Sequence, residues 1–388
     1  MTPAARPAAR PRDQGPDRAP AVPVTLGGRV IPQPLFVPDA TRGAVRTVPT
    51  SLLPTSHVEA ILVSTAHLAV QPGISVLAAL GGIRAFTGWD GPVISDSGGF
   101  QVFSLLAGGN GLASVSSAGL SYRFSPKQRF RQLTPQTCIQ TQLRLGSDVV
   151  YCLDYCTHPK APAAEQDLSL SLTLRWARQC RAEFDRLVAG LPEASRPMLF
   201  AVVQGGADPE RRERCAAELA GIGFDGYGFG GYPVVDGQLV DEVHQVAELV
   251  PPGSLLHGLG IGTPENVVGA WRSGYGIFDC TLPTRNARRG VLYAGLDLGA
   301  LGAPGSPGLY RVVRIGDERW VRHRGPVDPD CDCQMCELPA GYVAHLFRLD
   351  EPLGGTLMSL HNLRFYTRLT DGLRAVAGDA PASSRHHR

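Results

Sequence analysis

Short apolar runs that alternate with longer helical patterns constrain the fold of this chain more than any other feature of its sequence. The candidate strands are Ile61–Ser64, Pro92–Ser95, Asp148–Leu153, Met198–Val203, Gly226–Phe229, Leu255–Leu259 and Tyr275–Phe278. The candidate helices are Pro135–Gly146, Gln166–Ala189, Pro209–Ile222, Val240–Leu249 and Pro264–Ser273. Strands that are apolar throughout and are separated by helices are typical of βα units with a parallel sheet.

Seven or eight such units within about 300 residues predict a closed (β/α)8 barrel, the TIM-barrel form of the α/β class. An open doubly wound sheet is the alternative, and the lack of a glycine-rich dinucleotide motif counts against it. We expect one barrel domain over residues 23–377, with a metal-binding subdomain at about 300–362. The Pro/Ala/Arg-rich segment 1–22 and the segment 378–388 are predicted to be disordered tails.

Composition limits the class of protein without identifying it. The net charge is only +2, which neither requires nor excludes a nucleic-acid partner. No run of 18 apolar residues is present, and residues 1–22 lack the apolar segment of a signal peptide, so we expect no membrane association. The nine cysteines fit a reducing cytoplasm, where clustered thiols indicate metal binding rather than disulfides.

Polar or glycine residues stand at the ends of five candidate strands. They are Asp96, Asp154, Gln204, the pair Gly230 and Gly231, and Asp279. A barrel gathers the C-terminal ends of its strands around one mouth, so these residues are predicted to line a single pocket. The competing interpretation is that they cap helices and form turns, and it weakens because five successive strand ends share the feature.

Three thiols within six residues, followed by a histidine, form a predicted metal site. The proposed ligands are Cys331, Cys333, Cys336 and His361. Thiolate and imidazole are preferred zinc donors, and four of them complete a tetrahedral shell without water, so we expect one structural Zn²⁺ per chain. His323 and His345 are alternative fourth ligands, and three unrelated buried cysteines are the competing interpretation.

Two aspartates stand in settings that suit glycosyl transfer. Asp96 precedes a Gly-Gly-Phe segment that allows a flat ligand to approach, and Asp279 is followed by Arg285 and Arg288. Two carboxylates that face one sugar carbon are the arrangement of retaining enzymes, in which one attacks the anomeric carbon and the other handles protons. Each aspartate alone would also serve as a helix cap.

Basic residues are concentrated after Asp279. Residues 281–325 hold eight arginines against three acids, a local excess of five positive charges in a chain whose net charge is +2. Guanidinium groups suit phosphate oxygens, so this concentration favours a nucleic-acid backbone over a merely solvated surface.

These segments resemble those of the tRNA-guanine transglycosylase (queuine tRNA-ribosyltransferase) family, in its bacterial form. The similar stretches are residues 96–104 (DSGGFQVFS), 278–288 (FDCTLPTRNAR), the three-cysteine cluster with 361–366 (HNLRFY), and the shorter 154–156, 203–206, 224–227 with 230–231, and 260–265. The resemblance runs from about Phe36 to Leu373.

The resemblance implies a role for each matching residue. Asp279 would be the nucleophile that displaces guanine from the anticodon wobble nucleotide and holds the ribose covalently, and Asp96 would be the general acid/base. The deazaguanine base would be bound by Ser97, Phe100, Asp154, Cys156, Gln204, Gly230, Gly231 and Tyr232. The expected contacts to RNA are Arg285, Arg288 and Arg289.

The same resemblance implies the partners. They would be a tRNA with a GUN anticodon, a free 7-deazaguanine base and a second copy of the chain in a homodimer, in queuosine modification of tRNA. The chain departs from the family pattern at Tyr232, Pro233 and Asp236, in residues 62–68, and at Arg46 and His257. Tyr232, Pro233 and Asp236 leave open whether the base is 7-aminomethyl-7-deazaguanine, queuine or the cyano form, and the departures together leave open an altered substrate or nucleic-acid preference.

Three other functions compete with this hypothesis. A DNA-directed deazaguanine transglycosylase would keep the chemistry and the metal site. A non-catalytic partner subunit is disfavoured because both aspartates are present. A retaining glycoside hydrolase is disfavoured by the arginine-rich stretch and the closed metal site.

Overall fold

The computed structural model describes residues 22–297, 299 and 308–379. The two expected tails lie outside the described residues, apart from Val22, Gly378 and Asp379. Gly378 and Asp379 belong to the last helix, because an established helix extends at low cost once its earlier turns are packed. Part of the predicted metal-binding subdomain, residues 300–307, also lies outside the described part of the chain.

Eight parallel strands form one sheet, and we number them β1 to β8. They are β1 (Leu35–Pro38), β2 (Ile61–Val63), β3 (Val93–Ser95), β4 (Val149–Tyr151), β5 (Met198–Val203), β6 (Gly226–Phe229), β7 (Leu255–Gly258) and β8 (Ile277–Cys280). From β2 to β8 each strand pairs with the next along the chain, and β8 returns to pair with β1. A parallel bridge between Asp39 and Leu62 joins β1 to β2 and closes the barrel. The predicted TIM barrel is confirmed, and the open-sheet alternative is wrong.

The strand that closes the barrel, β1, is missing from the candidate strands of the sequence. This strand has only four residues, follows Pro34 and ends in Pro38. Two prolines around so short an apolar run are typical of a loop in the sequence. The last candidate strand, Tyr275–Phe278, begins and ends two residues later in the structure. Asp279 therefore lies within β8, next to Pro38 and Val37 of β1.

The described helices surround the sheet and extend beyond it. They are α1 (Thr65–Val70), α2 (Ile74–Ala79), α3 (Gly82–Thr87), α4 (Gly99–Ala107), α5 (Pro135–Leu145), α6 (Ala163–Val188), α7 (Pro209–Ile222), α8 (Asp241–Leu249), α9 (Pro264–Arg272), α10 (Leu282–Ala287), α11 (Ala340–Arg348) and α12 (Pro352–Asp379). The shorter strands are Val24–Leu26, Arg29–Ile31, Ala113–Ser116, Gly119–Tyr122, Arg131–Leu133, Val234–Val235, Gln238–Leu239, Val291–Ala294 and Arg311–Arg314. Within the described residues, no helix is both long and apolar enough to cross a membrane.

Three of the barrel helices begin at a capping residue followed by proline. Thr134, Asp208 and Thr263 each accept a backbone N–H from the first turn of the helix that follows, and Pro135, Pro209 and Pro264 occupy its first position. A side-chain cap of this kind contributes about 1 kcal/mol, and proline is suited to a position whose N–H has no partner within the helix. These caps fix where the loops from β3, β5 and β7 end.

Apolar side chains fill the barrel and join it to a C-terminal subdomain. The interior cluster includes Val37, Ile94, Tyr151, Phe200 and Val202, all nearly inaccessible to solvent. The subdomain has its own core, built around the antiparallel pair Val291–Ala294 and Arg311–Arg314 and the N-terminal part of α12. Further along α12, the ring of Tyr366 packs 4.3 Å from that of Phe36 in β1, so the helix ties the subdomain to the barrel.

Candidate active site

The strand ends named in the sequence analysis meet at the C-terminal mouth of the barrel. Asp154, just past β4, accepts a hydrogen bond from Nε2 of Gln204, just past β5, over 2.7 Å. Ser97, after β3, donates to the other oxygen of Asp154 at 3.4 Å. All three side chains are buried. Burial raises the pKa of Asp154 to about 6 against the lowering effect of these two hydrogen bonds.

Asp96 lies at the end of β3 and is held by four donors. Its Oδ1 accepts the N–H of Thr65 at 2.8 Å, the Thr65 hydroxyl at 3.2 Å and the N–H of Gly98 at 3.1 Å. Its Oδ2 accepts Nε2 of Gln101 at 2.8 Å. Burial outweighs these contacts and raises the pKa of Asp96 to about 6. A carboxyl group with a pKa near 6 both donates and accepts protons near neutral pH.

Asp279, in β8, has 16% of its side chain exposed. Its Oδ1 accepts the N–H of Gly260 at 3.1 Å and lies 3.0 Å from Nε2 of His257, which is fully buried. No described residue donates a hydrogen bond to Oδ2. One oxygen of Asp279 is therefore held by the loop after β7, and the other has no donor among the described residues.

The loop after β6 comes close to the end of β5 and to Gln204. A Cβ at Gly230 would lie 2.7 Å from the Val203 carbonyl oxygen and 2.6 Å from Gln204, so only glycine fits there. Gly231 has a φ of +100° and its backbone faces the thiol of Cys156. Burial raises the pKa of Cys156 to about 12, so this thiol stays neutral at physiological pH.

A buried arginine, Arg212 of α7, fixes the backbone behind these groups. Its guanidinium donates to the carbonyl oxygens of Val203 at 3.0 Å, Gly206 at 2.8 Å and Gly230 at 3.0 Å. The same group stacks on the ring of Phe229. Three strand-end carbonyls from β5 and β6 are thereby held by one rigid fork of donors.

Aromatic side chains border the pocket. The ring of Tyr232 lies 6.4 Å from Phe100, 6.5 Å from Phe103 and 5.4 Å from His158. Phe100 is half exposed. A cavity of about 460 Å³ is lined by Phe103, Tyr155, His158 and Tyr232 among others. Flat apolar faces of this kind suit a planar base.

The predicted RNA contacts gather beside Asp279. Arg285 lies in α10, and Arg288 and Arg289 follow that helix. The side chains of Arg285 and Arg289 are exposed. Burial and the nearby charges of Arg46, Arg285 and Arg289 lower the pKa of Arg288. Nη1 of Arg288 is buried without a hydrogen-bond partner among the described residues. The opposite charge of Asp39 is also near, and an unsatisfied donor among several like charges favours an anion.

The four predicted metal ligands come together in the C-terminal subdomain. The donor atoms of Cys331, Cys333, Cys336 and His361 all lie within 4.8 Å of one another. Nδ1 of His361 is 3.3 Å from Sγ of Cys333 and 3.4 Å from Sγ of Cys336, close to the edge of about 3.6 Å expected for tetrahedral Zn–S and Zn–N bonds. These residues could hold a metal ion. His323 and His345, the alternatives, are exposed and outside the group.

The surroundings of this cluster orient its ligands. Nε2 of His361 donates to the carbonyl of Tyr293 at 2.7 Å, which leaves Nδ1 free for a metal. Arg364 binds both carboxylate oxygens of Asp332, at 2.6 and 3.0 Å, and so holds the cysteine loop against α12. Asn362 donates to the carbonyls of Pro283 and Val291, which connects the same helix to the segment that follows Asp279.

Several residues at the site were not found from the sequence. Asp39 follows β1, and burial raises its pKa, with a further contribution from the nearby charge of Asp279. Its position after an apolar run is the same signal as that of Asp96, but β1 itself was missed. Tyr151, in the barrel interior, and Arg212, in a helix, carry no local signal, because their roles depend on which side chains lie across the barrel.

The chain is similar along most of its length to queuine tRNA-ribosyltransferases. A family model described as queuine tRNA-ribosyltransferase matches residues 19–379. A queuine tRNA-ribosyltransferase of Aromatoleum aromaticum is 36% identical over 372 residues, covering 94% of each chain. One from Nitrosomonas eutropha is 38% identical over 354 residues, covering 90% of this chain and 91% of the relative. One from Thiobacillus denitrificans is 36% identical over 356 residues, covering 90% and 89%.

Proposed function

The chain belongs to the queuine tRNA-ribosyltransferase family, and from that premise we propose that it exchanges guanine at the anticodon wobble position of tRNA for a 7-deazaguanine. The relatives are named for a ribosyl transfer to tRNA, and the barrel mouth of this chain holds the acid pair that such a transfer needs. The reaction is a double displacement that retains the configuration at C1′ of the ribose.

In the first half-reaction, Asp279 is the nucleophile. Its free Oδ2 attacks C1′, the bond from C1′ to N9 of guanine breaks, and the electron pair of that bond leaves with the base. Asp96 gives its proton to the departing guanine. The products are a ribosyl ester on Asp279, free guanine and ionised Asp96.

In the second half-reaction, the same two carboxyl groups work in reverse. Ionised Asp96 removes the proton from N9 of the incoming deazaguanine, and N9 attacks C1′. The ester bond to Asp279 breaks and the carboxylate leaves with its electron pair. The pKa of Asp96 near 6 supports this double role, because neither of its forms is scarce near neutral pH.

The buried groups beside Asp96 bind the base. Asp154 and Gln204 face its hydrogen-bonding edge, and Ser97, Cys156 and the backbone of Gly230 and Gly231 complete the pocket. Phe100 and Tyr232 cover the flat face of the ring. The glycine at position 230 supports this assignment, because it lets the loop after β6 lie directly against Gln204 and so brings backbone groups beside the buried amide.

The arginines beside Asp279 bind the tRNA backbone. Arg285, Arg288 and Arg289, joined by Arg46, present positive charge to the phosphates that flank the reacting nucleotide. The wobble nucleotide enters the barrel mouth after it leaves its stack, as single-stranded loop bases do when proteins bind them.

A structural Zn²⁺ would be held by the cysteine cluster and His361. The donor set of three thiolates and one imidazole suits zinc and leaves no open position for a substrate. When bound, zinc would supply stability, and no step of the exchange passes through it. We propose that the ion holds the subdomain of about 300–362 against α12 and so supports α10, which follows Asp279.

The remaining assignments follow from the proposed substrate. The chain acts in queuosine modification of tRNA in the cytoplasm, where tRNA is found and where its nine free thiols would stay reduced. The family resemblance supports a homodimer.

One observation carries the proposal: the carboxyl group of Asp279, with a hydrogen bond from a described residue to only one of its oxygens, lies at the same barrel mouth as the part-buried Asp96. Its test is exchange of labelled guanine into a tRNA with a GUN anticodon. The same tRNA with adenine at the wobble position and duplex DNA are the comparisons. We expect label in the GUN tRNA alone, and label in duplex DNA alone would overturn the assignment. Unlabelled 7-aminomethyl-7-deazaguanine, queuine and the cyano form, added in turn, identify the base that chases the label.

A further inference from the structure

Two buried side chains reach Asp279 from across the barrel interior. Tyr151, in β4, and His257, in β7, belong to strands that are separated by β5 and β6 in the sheet. The hydroxyl of Tyr151 lies 2.6 Å from Nδ1 of His257, and Nε2 of His257 lies 3.0 Å from Oδ1 of Asp279. The three side chains form a continuous polar row through an apolar core.

The surroundings of His257 decide which of its nitrogens carries the proton. Burial and the carboxylates of Asp279 and Asp154 raise the pKa of Tyr151 well above its ordinary value, so its hydroxyl keeps its proton. If that hydroxyl donates to Nδ1, Nε2 carries the hydrogen and faces the carboxylate of Asp279. The opposite tautomer would place a lone pair against a carboxylate, which is repulsive.

Nε2 of His257 has no hydrogen-bond partner among the described residues, although it is fully buried. The carboxylate oxygen of Asp279 lies within 3.0 Å but off the N–H axis. A buried donor without a partner is costly, and a small rotation of the carboxylate would satisfy it. An unsatisfied donor thus lies 3.0 Å from the carboxyl group whose charge changes during the reaction.

We propose that His257, with its tautomer fixed by Tyr151, is a positioning residue that holds Oδ1 of Asp279 and stabilises this carboxylate when it leaves the ribose. The proposal rests on the proposed role of Asp279 as nucleophile. While the ester exists, the charge of Asp279 is lost and Oδ1 is its carbonyl oxygen. When the incoming base attacks C1′, the ester bond breaks and negative charge returns to a carboxylate that faces the donors of His257 and Gly260.

This arrangement acts differently on the two half-reactions. In the first, the donors keep Oδ2 directed at the ribose but also stabilise the carboxylate that must be consumed, so their two effects oppose each other. In the second, the carboxylate is formed, and the same donors only assist. Loss of His257 should therefore slow capture of the ribose by the incoming base more than it slows formation of the ester.

The test measures both half-reactions in single turnovers of the full-length protein. The enzyme is mixed with a GUN tRNA, quenched with denaturant and assayed for the protein–RNA adduct, and labelled guanine is then added as the incoming base. We expect His257→Leu to slow adduct loss by about ten- to a hundredfold, the effect of one hydrogen bond to a charged group, and to accumulate adduct. The KM for guanine should stay close to that of the wild type.

Two further variants separate positioning from folding. His257→Gln keeps an N–H near the place of Nε2 and should recover most of the capture rate. Tyr151→Phe removes the hydroxyl that fixes the tautomer, and its effect should not add to that of His257→Leu, because the two residues act through one contact. Tyr275→Phe is the matched control, since the hydroxyl of this buried tyrosine donates to the Val243 carbonyl instead.

The outcomes distinguish the two levels of the proposal. If wild-type enzyme forms no adduct at Asp279, the proposed function fails and the role of His257 falls with it. If the wild type forms the adduct but His257→Leu captures guanine at the wild-type rate, the role of His257 alone is overturned. Equal losses in both half-reactions with no recovery in His257→Gln would also overturn it, because they indicate a structural defect.

Discussion

Gln204 donates a hydrogen bond from Nε2 to Oδ2 of Asp154 over 2.7 Å, and both side chains are almost inaccessible to solvent. The bond joins the ends of β4 and β5 at the floor of the pocket and orients the amide, so that its Oε1 is left for a ligand. This hydrogen bond lowers the pKa of Asp154, but burial raises it by more, so the pKa is about 6. A buried acid that is hard to ionise is a cost to stability accepted at the binding site.

This raised pKa predicts how stability depends on pH. The folded protein holds the Asp154 proton up to a pH of about 6, whereas the unfolded chain loses it near 4, so ionisation lowers stability as pH rises between these values. As pH rises from 4 to 7, we expect the free energy of unfolding of Asp154→Asn to increase by about 1 to 3 kcal/mol relative to that of the wild type. Denaturant unfolding of both proteins at each pH measures the difference. A difference that stays constant across this range would contradict the raised pKa.

Asp96 predicts opposite pH dependences for the two half-reactions. Adduct formation needs its protonated form and should slow as pH rises above about 6, whereas capture of the incoming base needs the ionised form and should slow below it. In Asp96→Asn the pH dependence of both half-reactions should disappear. The rates of adduct formation and of base capture should both fall by about 10²- to 10⁴-fold, the usual contribution of a general acid or base. Rates of adduct formation and loss from pH 5 to 8 provide the measurement. If either half-reaction kept its pH dependence in the variant, that dependence would belong to another titrating group.

The sequence predicted the barrel and most of the groups at its mouth because each leaves a local signal. A continuous apolar strand followed by a polar residue can be recognised without knowledge of the fold, as at Asp96 and Asp154. Once the barrel is assumed, its geometry brings those ends together. The metal cluster could also be predicted from the sequence, because three of its four ligands lie within six residues.

Residues whose role depends on contacts across the barrel could not be predicted in this way. Tyr151 looks like an ordinary strand residue, and only the closed sheet directs its hydroxyl to His257. Asp39 could not be recognised as a strand-end residue, because the strand before it is four residues long and bounded by prolines. The choice of His361 over His345 likewise depended on helix packing, since His361 lies on the inner side of α12 and His345 on the exposed side of α11.

The two histidines also provide a matched test of the metal site. We expect His361→Ala to lose bound zinc and to unfold at a lower temperature, because the ligand set and the contact to Tyr293 are both broken. His345→Ala, an exposed change in the same subdomain, should keep one zinc per chain and the wild-type melting temperature. Elemental analysis and thermal unfolding measure the two properties. A zinc-free His361→Ala protein that melts like the wild type would remove the structural role of the ion.

The arginines beside Asp279 predict a salt-dependent loss of tRNA affinity. Arg288 has a buried Nη1 without a partner among the described residues and lies among the charges of Arg46, Arg285 and Arg289, so a phosphate would satisfy the donor and relieve the repulsion. Arg288→Ala should weaken tRNA binding by about tenfold and equally for all GUN tRNAs, because backbone contacts carry no sequence information. It should also reduce the slope of log affinity against log salt by nearly one.

The control is Arg214→Ala in α7, on the outer layer of the barrel. Arg214 is exposed and already paired with Glu218 at 3.0 Å, so its loss removes the same charge from the chain without touching the mouth. Titration of labelled tRNA at several salt concentrations compares the two variants with the wild type. Equal weakening by both would mean that net charge, rather than the site beside Asp279, attracts the RNA. An Arg288→Ala protein with the wild-type slope would show that this guanidinium meets no phosphate, and its unpaired donor would then require an occupant other than the tRNA backbone.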